Sequence, residues 1–362
     1  MDNAIPITCP MTIPFARTDN DARNIIDLHG HSQVFSNFPG AAGFAGGGAA
    51  PIWIGSDNTN ADSTVVFTSP LTNTWYAWLL DNIDTNIVTT RHTGLNVTSG
   101  NLRLANLVWG NWTYGGPAGA TNNTYSGPTT VTGGTLQVDT PILNSPVTVS
   151  GTGRLAGSGP IYTPITVGAG GTLSPGGTAT TVSAIGILTN YNNMTLLSGS
   201  KCVFEVNLGT RTNDSVFGPA NVTYGGTLVI TNIGTQAFTN GVVLKLFSAT
   251  NYTPGTISIQ PAVPGPNLMW DASQLAVNGT LRVITTIPTA ISGVGHLNDG
   301  NVAFTISGGV GQAYSVRASS NVAAPVASWT VLESGILQSA NYTFTDLNAT
   351  NYPARFYIIS TP

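Results

Sequence analysis

Three valines, Val131, Val149 and Val167, stand 18 residues apart, and three leucines, Leu136, Leu155 and Leu173, follow them at almost the same interval. Around them the chain reads VTGGTLQV (131–138), VSGTGRLAG (149–157) and VGAGGTLSPG (167–176). Each unit is a short apolar stretch, a glycine corner and a second apolar stretch. Recurrence at about 18–30 residues marks a solenoid, because a unit too small to bury its own apolar face buries it against the copies on either side. In a parallel β-helix every backbone N–H and C=O pairs with the coil above or below. The wall then needs β-forming residues rather than charges, and small residues at each corner. Looser copies run through VTSGNLRL (97–104), VTYGGTLVI (222–230) and VNGTLRV (277–283), with a degenerate one in LLSGSKCVFEV (196–206).

Composition agrees. Only 7% of the 362 residues are Asp, Glu, Lys or Arg, against about 25% in an ordinary soluble domain. Exposed helices use those residues for solubility and for i,i+4 pairs, so the chain reads as all-β. The net charge of −4, with no basic cluster, removes the electrostatic footprint of a nucleic-acid or anionic-membrane binder. There is no run of 18 apolar residues, so no membrane-spanning helix is expected. The start, MDNAIPITCP, lacks the basic segment and apolar core of a signal peptide. With the Gly/Thr/Asn-rich style, it reads as a mature exported chain or a fragment of one.

The stretch YSGPTTVTGGTLQV (125–138) resembles the autotransporter-associated β-strand repeat, also called the passenger-associated transport repeat, almost position for position. The following GRLAGSGPIYTPITVGAGGTLSPGG and GGTLVITN to LAVNGTLRV resemble the sequence that succeeds such repeats in large exported proteins of Verrucomicrobia and Planctomycetes. The resemblance covers about 120–284 closely and 20–110 more loosely, through RNIIDLHGHSQVF (23–35). It implies a parallel β-helix, export, and a place at the cell surface or outside a bacterium of the Gram-negative type. It carries no chemistry. The family name also implies a C-terminal membrane barrel, but nothing after residue 284 has the strand pattern of one, so self-translocation through a barrel on this chain is not expected.

Three parts are expected: irregular coils or a cap over 1–120, the repeat-bearing solenoid over 121–286, and a small antiparallel β-sandwich of the immunoglobulin or fibronectin type over 287–362. The last rests on VAFTIS, AYSVRAS, SWTVLES, NYTFTD and ARFYIIS, which alternate in polarity and are separated by turn residues. It resembles the module often joined to such repeats, whose final strand is here Arg355 to Ile359. Five of the seven tryptophans (Trp53, Trp75, Trp78, Trp109, Trp112) fall in the first part. They either stack on sugars or form a buried ladder.

Catalytic β-helices need clustered carboxylates, with a metal or a basic residue beside them. Candidates are few. Asp81 and Asp84 in LLDNIDTN could share a metal, although Asp and Asn in turns are commoner. Asp19 and Asp21 resemble half a calcium loop. His29 and His31 in LHGH would share one side of a strand, with only His92 and His296 elsewhere. The glycine run 40–50 lacks the Lys of a phosphate loop. Ten Asn-x-Ser/Thr sequons, Asn96, Asn111, Asn251 and Asn341 among them, are about what this composition yields unselected. No catalytic, cofactor or metal site is therefore expected.

Two cysteines remain. Cys9 and Cys202 are 193 residues apart, about eight to ten coils, or on the order of 40 Å along a solenoid. A disulfide needs Cα atoms within about 7 Å. The alternatives are two buried thiols, a chain that folds back, or a bridge from Cys9 to Cys202 of the next molecule. The reading is a secreted structural protein, not an enzyme, that polymerises head to tail with its N-terminal segment docked on its neighbour. An adhesin or a binder of extracellular polysaccharide stays open, and a β-helical polysaccharide lyase or hydrolase after it.

Overall fold

The computed structural model describes residues 24–36, 52–57, 60–75, 78–83, 90–105, 123–178, 184–286, 288–309 and 312–360. The calls on Cys9, Asp19, Asp21, residues 40–50, Asp84, Trp109, Asn111 and Trp112 lie outside them, as does the N-terminal docking segment. Nearly all regular structure is strand, in two compact units.

The first unit is a parallel β-solenoid with three walls. The first wall stacks nine strands, from Ser32–Phe35 to Asn251–Thr253. The second stacks eight, from Thr72–Trp75 to Ile257–Gln260, with Thr212–Asn213 paired antiparallel beside Lys201–Asn207. The third begins with Asn24–Asp27, Ile52–Ser56 and Trp78–Asn82. It continues through bridges joining Asn123, Ile142 and Ile161, and ends with Ile187–Asn190, Ser215–Phe217 and Phe247–Ser248. Nine stacked strands at about 4.8 Å make a wall about 38 Å long.

The spacing of the apolar residues becomes columns. Val97, Val131, Val149, Val167 and Leu196 pair in register along the first wall. Leu102, Leu136, Leu155, Leu173, Cys202 and Leu228 do so along the second. Every member is at most 2% exposed, so each column is a seam of the core worth about 1.5–3 kcal/mol per large side chain. The corner between the two walls requires glycine. Gly134 has φ 68°, and a Cβ there would collide with the carbonyl of Gly100 one coil away. Coil thus lies on coil at backbone contact.

The N-terminal coils belong to the same walls. Trp53 and Trp75 are buried. Trp53 stacks on Trp78 at 6.4 Å, and Trp75 meets Phe35 and Phe67 edge-on at 5.7 Å each. Of the two readings for these tryptophans, the buried ladder is the one the described residues adopt. One expected repeat fails. VNGTLRV is not a coil: Leu275–Asn278 is a short helix, and Thr280–Thr285 pairs antiparallel with Leu268–Asp271. The helix seats Leu275 in the solenoid core, where the Tyr224 hydroxyl donates to its carbonyl at 2.8 Å.

The second compact unit takes in 238–243, 263–272 and 282–362. Its body is two three-stranded antiparallel sheets. One joins Ala290–His296, Val302–Ser307 and Asn341–Asp346; the other joins Thr330–Ile336, Ala313–Ser319 and Phe356–Ser360. Val302, Phe304, Ile306, Tyr314, Val316 and Phe344 form their shared core. Glu333 ties the sheets together, accepting from the hydroxyls of Tyr314 (2.5 Å) and Tyr342 (3.2 Å).

Candidate functional site

In a chain with so few charges, their positions are informative. Within the first four coils, Asp27, Asp57, Asp62, Asp81, His29 and His92 gather where the third wall turns into the first. His29 and His31 do not share a strand, because the strand ends at Asp27 and the next begins at Ser32. His29 has φ 46° and Gly30 φ 78°, so LHGH is a tight corner with both imidazoles exposed. Gly30 N–H donates to Ser56 Oγ and Ser63 Oγ, both at 3.0 Å, which fixes the corner to the next coil.

His29 meets aspartates instead of His31. Its Nδ1 lies 2.6 Å from Asp57 Oδ1 and 3.7 Å from Asp27 Oδ2. Asp27 Oδ1 accepts the N–H of His29 (2.8 Å) and of Asp57 (3.1 Å). The hydrogen bond that His29 donates to Asp57, reinforced by the carboxylate's charge, holds the His29 pKa above the ordinary histidine value and lowers that of Asp57. One ligand atom from each of the three residues falls within 4.8 Å of the others, the donor set a divalent cation would use. As folded, those atoms are engaged with one another.

Two coils beyond His29, Asp81 and His92 meet Ser126 of the following coil and bring the residue types of a hydrolytic triad together, with different geometry. In a triad the carboxylate orients the imidazole, and the imidazole receives the serine proton. Here Asp81 Oδ2 accepts from Ser126 Oγ at 2.5 Å and stands 3.9 Å from His92 Nδ1. His92 Nδ1 lies 2.5 Å from Ser126 Oγ, so imidazole donates to hydroxyl and hydroxyl to carboxylate. Asp81 Oδ1 also accepts Thr93 N–H (2.7 Å) and Ser126 N–H (2.9 Å). Asp81 is thereby a staple across coils, held by backbone and hydroxyl groups, while Asp84, the residue expected to share a metal with it, lies outside the described residues.

Buried hydroxyls and amides continue the stapling. Tyr125 bonds Thr129 at 2.6 Å, Thr129 bonds Ser145 at 2.7 Å, and Asn190 donates to the carbonyls of Ile161 and Thr163. Burial raises the Tyr125 hydroxyl to about 12. The sequence reading missed Glu205 and Asp214 altogether. They lie side by side at 2% and 0% exposure, and no local pattern marks a carboxyl destined for burial.

Cys202 occupies the leucine column of the second wall at 1% exposure. Desolvation raises its thiol pKa far above the ordinary value. Reaching a cysteine on another molecule from there would require the wall to open. Of the sequons, Asn96 is half-buried in the Thr93–Val97 strand, while Asn251 and Asn341 are exposed. His296 ends an exposed strand of the second unit.

These features define a class of architecture, a parallel β-solenoid joined to an antiparallel two-sheet unit. Scans against protein-family models and against curated proteins found no match for the chain.

Proposed function

We propose that the chain is an exported structural protein, a stiff β-solenoid at the cell surface or in the extracellular matrix of a bacterium. Copies join head to tail into a homopolymeric fibre, the N-terminal segment of each docking on the next. One observation carries this reading: among the described residues, aspartates of the N-terminal coils serve as staples between coils. Asp27, Asp62 and Asp81 accept backbone N–H groups from the following coil, which suits a wall built to hold its shape. Electron microscopy of the native material tests it, with fibres expected. A chain lacking residues 1–20 should remain folded and run as a monomer in sizing experiments. Dispersed monomers from the intact protein at high concentration would end the polymer reading.

The carbohydrate-binding alternative draws on Tyr162 and Tyr191, half-exposed rings 4.8 Å apart on successive coils. Its test is retention on immobilised polysaccharides, lost in Tyr162→Ala and Tyr191→Ala. Catalysis is not part of the proposal. Turnover of a uronic-acid polymer that Asp81→Ala abolished would overturn that exclusion.

A further inference from the structure

The Lys201–Asn207 strand alternates inward and outward, with Cys202, Phe204 and Val206 facing the core. Phe204 packs edge-on against Phe247 at 5.3 Å. Alternation therefore sends Glu205 to the outer face, where a glutamate is ordinarily solvated. Yet it is buried, and so is Asp214, which follows the Thr212–Asn213 strand folded back beside it.

Asp214 is well supplied with donors. Its Oδ1 accepts Gly186 N–H at 2.7 Å, its Oδ2 accepts Glu205 N–H at 2.8 Å, and its own N–H donates to the Glu205 carbonyl at 2.8 Å. Glu205 has no such support: its Oε2 is buried without a hydrogen-bond partner among the described residues. The cation whose charge acts on Glu205 is Arg154. Its guanidinium donates to Thr178 O (3.0 Å) and Ser174 Oγ (3.4 Å). Lys201 and Arg211 are exposed, Lys245 donates to the Asn278 carbonyl, and the residue opposite Glu205 on the next coil is the uncharged Thr231. With both carboxyls ionised, the charge of Arg154 on Glu205 would still leave a buried, uncompensated negative charge, which is strongly unfavourable. A single proton removes it.

We propose that Glu205 and Asp214 are a proton-sharing carboxyl pair that latches the Thr212–Asn213 return and the Gly186 segment onto the second wall, and that loss of the proton unlatches them. The protonated Glu205 carboxyl donates to the Asp214 carboxylate, which stays charged because two N–H groups hold it. In alkali the O–H bond of Glu205 breaks, its proton passes to hydroxide to form water, and two like charges are left in contact. Desolvation and the Asp214 charge push Glu205 up to about 9, and burial raises Asp214 as well.

The test uses the full chain. Infrared spectra at pH 7 should show a protonated carboxyl that titrates away near pH 9, and Glu205→Gln should lack it. Protection of the Gly186 and Glu205 amides, corrected for intrinsic exchange, should fall at least tenfold between pH 7 and 10 in the parent and stay level in Glu205→Gln. Gln keeps an N–H donor for Asp214, so the variant should fold. If it does not, the parent's infrared titration decides alone. A parent spectrum with every carboxyl ionised at pH 7, or a protonated band that survives Glu205→Gln, overturns the proposal.

Discussion

Cys202 stands in register between Leu173 on one coil and Leu228 on the next, so its thiol takes the place of a leucine side chain in the core. Thiolate is the reactive form, and burial disfavours it here. Alkylating reagents at pH 8 should label Cys202 at under a tenth of the rate seen after denaturation, read by peptide mass spectrometry. Rapid labelling of the native protein would show that this wall opens.

Leu155 has a leucine above and below it, Leu136 and Leu173, and is fully buried. Leu155→Ala should destabilise the solenoid by about 2–5 kcal/mol, since flat stacked walls have little freedom to collapse into the void. Chemical denaturation followed by circular dichroism measures it.

In the second unit, Arg355 Nε lies 3.1 Å from Asp346 Oδ2, with side chains 9% and 4% exposed. Asp346 also accepts from the Tyr357 hydroxyl and from Asn348 N–H. Asp346→Asn would leave the guanidinium buried without its counter-charge, a loss of about 3–5 kcal/mol. The unfolding transition of the C-terminal unit should move accordingly. A change under 1 kcal/mol would mean that water reaches the pair.

His29 supplies a pH signature. Its folded pKa is raised by Asp57, so the stabilisation from this contact is complete below the unfolded histidine value and fades as pH climbs through the raised one. In an NMR titration His29 should titrate above pH 6.5, and Asp57→Asn should bring it back down. An unchanged His29 in that variant would assign the shift elsewhere.

Sequence reasoning reached the solenoid because an 18-residue spacing of Val and Leu survives folding as a column, and a Gly corner has one geometric use. It failed at VNGTLRV, where the same corner and alternation occur. Whether such a strand pairs parallel or antiparallel depends on which chain lies beside it, and here that is Leu268–Asp271. LHGH misled for a related reason. Alternation assumes extended backbone, and the positive φ of His29 is not written in its side chain. The Asp27 and Asp81 staples join residues 30 and 45 positions apart, a separation that local patterns do not span. Glu205 and Asp214 were unreadable because an outward strand position normally means water.

The coil from Val147 to Pro164 passes once through all three walls and returns the chain one level higher. Its removal would set Thr129–Val131 directly beneath Ile165–Val167, and Thr135–Val138 beneath Arg154's successor strand, Thr172–Pro175, with every side chain keeping its facing. Length in such a molecule is quantised. Duplication or loss of one 54-nucleotide stretch of coding sequence would alter the reach of the protein by a single strand spacing while leaving both ends as they were, so the solenoid could be lengthened or trimmed by recombination alone.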